Sequence, residues 1–61
     1  PYLQMLRKNG PIIKQYTTKY DLDIESVDIT YEQGFPELIY FFNDGLGGYT
    51  IDAILEALED E

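Results

Sequence analysis

The amino-acid sequence predicts a small α+β domain, with the element order α-α-β-β-α and an antiparallel β-hairpin packed by helices. Three observations support this fold class. Apolar side chains recur with a helical period over residues 11–20 and again over residues 50–58. Between these two segments the period falls to two residues, as it does in strands. The chain has only 61 residues, so we expect a single acidic domain that comprises residues 1–61.

The first twenty residues predict two short helices. The first is expected over residues 2–8, and Asn9-Gly10 is a typical stop, because glycine readily adopts the left-handed conformation that ends a helix. Pro11 cannot continue that helix but suits the first turn of another. The second helix is therefore expected over residues 11–20, with an apolar stripe that consists of Ile12, Ile13, Tyr16 and Tyr20.

The next segment predicts a hairpin of two strands. Alternating side chains indicate a strand over residues 27–32, and a change of phase near Ser26 indicates a loop or bulge there. Turn-forming residues follow at positions 33–36. Residues 37–42 predict a second strand that is apolar on both faces, which is typical of the central strand of a sheet.

A glycine-rich segment over residues 43–48 precedes the last helix, which is predicted over residues 50–58. Thr50 is its expected N-cap, and the stripe expected to dock on the core consists of Ile51, Ile54, Leu55 and Leu58. The glycines lie between a strand and a helix, where phosphate-binding loops occur. They lack both standard spacings, and Asp44 would repel phosphate, so we interpret the segment as a turn.

The composition argues against several kinds of site. The chain has no cysteine and no histidine, so it has no disulfide, and a zinc site is not expected. Its only serine, Ser26, has no local base, and we expect no enzymatic activity and no cofactor. No apolar run approaches the roughly 20 residues that span a bilayer, so no membrane contact is expected. The absence of cysteine fits a cytoplasmic location.

Two further motifs can be aligned with the middle of the chain. The spacing of the ligands in an EF-hand calcium loop is matched by Asp21, Asp23, Glu25 and Glu32, although Ser26 stands where that loop needs glycine. Residues 12–31 can be aligned with a helix-turn-helix, but its recognition helix would carry acids and no base. Because phosphate contacts supply most non-specific affinity for nucleic acid, direct binding is not expected. A helix-turn-helix regulator stays an alternative.

Charge is segregated along the chain. All four basic residues lie in positions 1–20 and all twelve acidic residues in positions 21–61, with a net charge of −8. Either each segment solvates its own surface, or the acidic segment attracts a basic protein. The second alternative predicts a small inhibitor or modulator that presents carboxylates to a basic protein, such as one that binds nucleic acid. The candidate partner-binding residues are Asp28, Tyr31, Glu32, Glu37 and Tyr40.

The aromatic content and the short chain leave further alternatives. Six tyrosines and three phenylalanines either pack internally or contribute some members to an interface. A chain of this length buries only about 60% of the surface that its unfolded form exposes. Without a disulfide or a metal, it would gain stability from association. We therefore also expect a homo-oligomer, and the alternative function is a self-associating structural or assembly subunit.

Overall fold

The helices and strands follow one another in the order α-β-β-β-α. The computed structural model describes residues 2–59, and its elements are α1 (Tyr2–Tyr20), β1 (Ile24–Thr30), β2 (Glu37–Phe42), β3 (Gly48–Tyr49) and α2 (Ile51–Glu59). The three strands form an antiparallel sheet in the order β1-β2-β3. The predicted α+β class, the hairpin and the central position of the second strand are confirmed. The short strand β3 was not predicted.

The helix α1 continues through Gly10 and Pro11, so the prediction of two separate helices is wrong. Pro11 has no N–H to donate to the carbonyl four residues earlier, and Gly10 has no Cβ to clash with the proline ring. The Asn9 side chain is buried, and its Nδ2 donates a hydrogen bond of 3.1 Å to the Tyr40 hydroxyl. Packing against the sheet therefore overrides the local stop signal.

The end of α1 is closed by its own backbone. Asp21 takes a left-handed conformation with a φ of 53°. The Leu22 N–H then turns back and donates to the Thr17 carbonyl oxygen over 2.9 Å. This is the pattern of a Schellman motif, which satisfies a carbonyl in the last turn of the helix and redirects the chain toward the sheet.

The strand β1 lies earlier in the sequence than the predicted strand 27–32. Ile24 and Ser26 are opposite neighbouring residues of β2, so Glu25 is an extra residue, and the expected bulge near Ser26 is confirmed. Pairing is then regular as far as Thr30. The helix-turn-helix alignment is wrong, because β1 lies where that motif needs its second helix. The EF-hand alignment is also wrong, because β1 lies where a calcium loop needs irregular backbone.

The core lies between the central strand and the two helices. Burial alternates along β2, and Leu38, Tyr40 and Phe42 face the helices. The rings of Tyr16, Phe42 and Tyr49 have centroids 5.2–6.0 Å apart. Each large apolar side chain taken out of water contributes about 1.5–3 kcal/mol, so this layer holds sheet and helices together. The buried members contributed by the helices are Ile13, Tyr16 and Ile54.

The helix α2 docks through Ile54 rather than through the whole predicted stripe. Ile54 is 0% exposed, whereas Leu55 is 39% exposed. The predicted place of Leu55 in the core is therefore wrong. Ile51 and Leu58 are partly buried and pack against the core. Successive residues are separated by roughly 100° around a helix, and Leu55 is thereby turned away from the contact. Thr50 is the N-cap, as predicted, since its Oγ1 accepts a hydrogen bond of 3.3 Å from the Ala53 N–H.

Ile54→Ala is expected to lower the free energy of unfolding by about 2–5 kcal/mol, because it leaves a cavity in the core. Leu55→Ala removes a side chain of the same size from the neighbouring position and is expected to cost less than about 1 kcal/mol. Urea denaturation followed by circular dichroism measures both values. If Ile54→Ala has no folded baseline, Ile54→Val, with an expected loss of about 0.5–1.5 kcal/mol, replaces it. Equal losses at the two positions would contradict the docking described.

Asn9→Ala is expected to lower the free energy of unfolding by about 1–3 kcal/mol, because it leaves the buried Tyr40 hydroxyl without a partner. Tyr40→Phe likewise leaves the buried Asn9 amide without its hydrogen-bond acceptor. The double variant should cost less than the sum of the two single variants, since it leaves neither group unpaired. A double-mutant cycle in urea measures this coupling, which is expected at about 0.5–3 kcal/mol. Strict additivity would mean that the hydrogen bond contributes nothing to stability.

Candidate partner-binding surface

The sheet has one face that the helices do not cover. Along β2, the side chains of Glu37, Ile39 and Phe41 alternate with the buried ones and point away from the helices. Asp28 of β1 is opposite Ile39 in the antiparallel register and shares this face. We call this side of the sheet the open face, and its residues are Ser26, Asp28, Thr30, Glu37, Ile39, Phe41 and Gly48.

Ile39 and Phe41 form the apolar centre of the open face. Both are partly buried, and both lie against Gly48 of β3. A Cβ at Gly48 would collide with Ile39 Cγ2 and would lie 3.1 Å from Phe41 Cζ. Glycine therefore allows the two side chains to lie flat across the neighbouring strand. Together they form an apolar strip over the middle of the face.

Carboxylates lie beside this apolar strip. Asp28 is exposed and Glu37 is partly buried. The register makes them diagonal neighbours on adjacent strands, about 7–8 Å apart. Every basic residue of the chain belongs to α1, on the other side of the sheet, and all four are exposed: Arg7, Lys8, Lys14 and Lys19. The open face thus carries negative charge without a local counter-charge, an arrangement that attracts cationic groups.

Four of the five predicted site residues lie on or next to the open face. Asp28 and Glu37 belong to it, and Tyr31 and Glu32 lie in the hairpin connection, residues 31–36, at the end of the sheet where Glu37 begins β2. Tyr31 and Glu32 are exposed, Tyr31 to 64%. A hydrogen bond of 2.9 Å from the Gly34 N–H to the Tyr31 carbonyl oxygen closes the turn there.

Tyr40 is not part of this surface, and its predicted role in partner binding is wrong. It is 1% exposed, and its hydroxyl is held by Asn9 in the core. Tyr40 follows Glu37 by three residues, and side chains with an odd separation in a strand point to opposite faces. The position of Glu37 could therefore have excluded Tyr40 from the sequence alone. The same signal could have identified Ile39 and Phe41, which were not among the predicted site residues.

The glycine-rich segment 43–48 is a turn that joins β2 to β3. Asp44 closes it with both carboxylate oxygens: Oδ1 accepts from the Leu46 N–H over 3.1 Å, and Oδ2 accepts from the Tyr49 hydroxyl over 2.9 Å. Gly45 and Gly47 have φ angles of 70° and 96°, which residues with a Cβ rarely adopt. The segment was interpreted as a strand-to-helix turn, and the difference is that β3 intervenes before α2.

The hydrogen bond to Asp44 raises the pKa of Tyr49 to about 12, and burial contributes in the same direction. Burial also raises the pKa of Tyr16, whose ring lies 6.0 Å from that of Tyr49. Ionising either phenol would place a second negative charge close to the Asp44 carboxylate. Both hydroxyls are therefore held in the neutral form by the fold.

Stability is expected to decrease as the pH rises through the alkaline range. The folded-state pKa of Tyr49, about 12, lies above the ordinary value of 10.0, so its contribution is present below pH 10 and is lost as the pH approaches 12. Tyr49→Phe should flatten this slope. Tyr31→Phe, which removes an exposed phenol, is the matched control and should keep it. Chemical denaturation between about pH 9 and about pH 12 measures the slopes, and an unchanged slope in Tyr49→Phe would contradict the assignment.

Comparison with protein-family models, with curated proteins and with solved structures finds no match to the chain. Residues 2–59 enclose no ligand-sized cavity and bring together no group of three or more potential metal ligands. In the same range, neither helix has the length and apolar character needed to cross a bilayer. A function is therefore inferred from the open face and the residues around it.

Proposed function

We propose that this protein is a non-enzymatic binding protein whose open face binds a basic surface of another protein. One observation carries the proposal: the open face and the hairpin connection combine an apolar strip with carboxylates and contain no basic side chain. Protein interfaces commonly have an apolar centre and a polar rim. If the surface of the partner that the open face covers also binds nucleic acid, the carboxylates would occupy the positions of the phosphates. The protein would then act as an inhibitor or modulator of that partner.

Charged and apolar groups would contribute to different steps of binding. Residues 21–37 contain six acids and no base, and such a field can raise association rates by roughly 10- to 1,000-fold at low salt. Each exposed ion pair, once formed, adds only about 0–1 kcal/mol. The lifetime of the complex would depend on burying Ile39, Phe41 and Tyr31, because a tyrosine buries a large area and keeps a hydroxyl for a hydrogen bond.

Reversing Asp28, Glu32 and Glu37 to lysine is expected to slow association and to flatten its dependence on salt, because it removes the local field. The matched control reverses Asp52, Glu56 and Glu59, which are exposed acids of α2 on the helical side, and it changes the net charge by the same amount. The partner is isolated by affinity capture on the immobilised protein. Surface plasmon resonance at several salt concentrations then measures both rate constants.

In the same measurement, Tyr31→Ala is expected to speed dissociation and to leave association nearly unchanged, since it removes contact area but no charge. Equal effects of the two triple reversals would mean that net charge, rather than the open face, governs binding. Binding that is indifferent to salt and to both reversals would contradict the proposed function.

Self-association as a structural or assembly subunit is a second candidate function, favoured by the exposed apolar side chains of Leu3, Phe35 and Leu46. A dimer would bring together two chains that each carry a net charge of −8. It should therefore strengthen as salt is added, whereas binding to a basic partner should weaken. Sedimentation equilibrium at micromolar concentration in about 0.05 M and about 0.5 M salt distinguishes the two. A monomer under both conditions would count against self-association.

A further inference from the structure

The strand β1 is an open edge of the sheet. Within residues 2–59 it pairs only with β2, and five of its seven residues are exposed. The opposite edge, β3, has only two residues. An edge strand presents a row of backbone N–H and C=O groups with no partner in the sheet, and it is a template on which another extended chain can pair.

The hydrogen-bonding pattern identifies the backbone groups at this edge. Across the hairpin, the Asn43 N–H donates to the Asp23 carbonyl oxygen over 2.9 Å. Backbone groups alternate in direction along an extended strand, so Ile39, four residues before Asn43, also points its N–H at β1. Asp28 is opposite Ile39 in the antiparallel register and therefore points its N–H at β2. Val27 and Ile29 then direct their N–H and C=O groups to the free edge, while their side chains lie on the helix side of the sheet.

We propose that the free edge of β1 binds an extended, basic segment of the partner as a fourth, antiparallel strand. The inference rests on the proposed function, because it names the form in which a basic partner would reach the open face. Alternate side chains of the added strand would lie on the open face beside Asp28, where lysine or arginine complements the charge. The intervening side chains would lie beside Val27 and Ile29, where apolar residues fit.

Charge complementarity selects a basic strand over a second copy of this chain. A second β1 would bring its own Glu25 and Asp28 to the ladder, and each copy carries a net charge of −8. Like charges at neighbouring positions of a ladder destabilise pairing. The bulge at Glu25 limits regular edge-to-edge pairing further. It leaves Ser26–Thr30 as the regular stretch that an added strand can use.

The test uses a capped peptide of eight alternating lysine and valine residues, together with a block peptide of the same composition. Each is titrated into isotope-labelled protein and followed by NMR. The alternating peptide is expected to bind about tenfold or more tighter than the block peptide, because only it can pair its backbone and sort its side chains. It should slow hydrogen exchange at the Val27 and Ile29 amides. The Asp28 and Thr30 amides, already bonded within the sheet, should change little.

Two methylated forms of the alternating peptide separate backbone pairing from side-chain contact. In an antiparallel addition, the peptide residues that face Val27 and Ile29 direct their N–H groups to β1. N-methylation of the valines is therefore expected to abolish binding, and N-methylation of the lysines should leave it unchanged. The protein itself is unaltered, so the result does not depend on the folding of a variant.

The alternating and block peptides could bind equally well with the same dependence on salt, or the two methylated peptides could do so. Either result would overturn the proposal of an added strand and would leave the proposed binding of a basic partner intact. Failure of every peptide to bind would overturn the inference and would count against the proposed function as well. Protection of the Val27 and Ile29 amides without peptide, in a protein that sediments as a dimer, would place a second copy at the edge and would also overturn the proposal.

Discussion

Within the apolar layer that holds the helices and the sheet together, one directional contact constrains how they are arranged: the hydrogen bond between the Asn9 amide and the Tyr40 hydroxyl. Tyr40 lies in the middle of the central strand, and an unpaired hydroxyl there would cost about 1–3 kcal/mol. The helix must therefore place Asn9 over the centre of β2. It must also continue past Pro11, because Tyr16, two turns later, packs against Phe42 on the same face of the strand. A helix that ended at Asn9 would lose the second contact.

The same interaction agrees with Glu37 on which side of the sheet faces outward. Every residue from Leu38 to Phe42 is apolar, so hydrophobicity alone does not choose between the two faces of β2. Once Tyr40 is committed to the core, Ile39 and Phe41 are left on the other side with Glu37. The antiparallel register then adds Asp28 to them. The acidic and apolar character of the open face is thus a consequence of how the core is filled.

Periodicity predicted those elements whose local pattern agrees with the tertiary structure, such as the strand over residues 37–42 and the last helix. It failed at Asn9-Gly10, where a true local stop signal is outweighed by burial of the asparagine. The strand Gly48–Tyr49 has too few residues to display any alternation. At the candidate site, charge singled out Asp28, which the register places on the open face, and its role in binding stays a prediction. Tyr40 could not be placed by its aromatic character, because tyrosine suits both a core and an interface.

The confinement of basic side chains to α1 also separates charge within the molecule, because α1 carries all four basic residues and no acid, whereas residues 21–59 carry acids and no base. Near a basic surface, the field exerts a torque that turns α1 away and the sheet toward that surface. The torque acts over about one Debye length, roughly 8 Å at physiological ionic strength, and so it acts before any side chains meet. The orientation of the molecule is then selected during the approach, and a larger fraction of collisions is productive without any additional contact in the final complex.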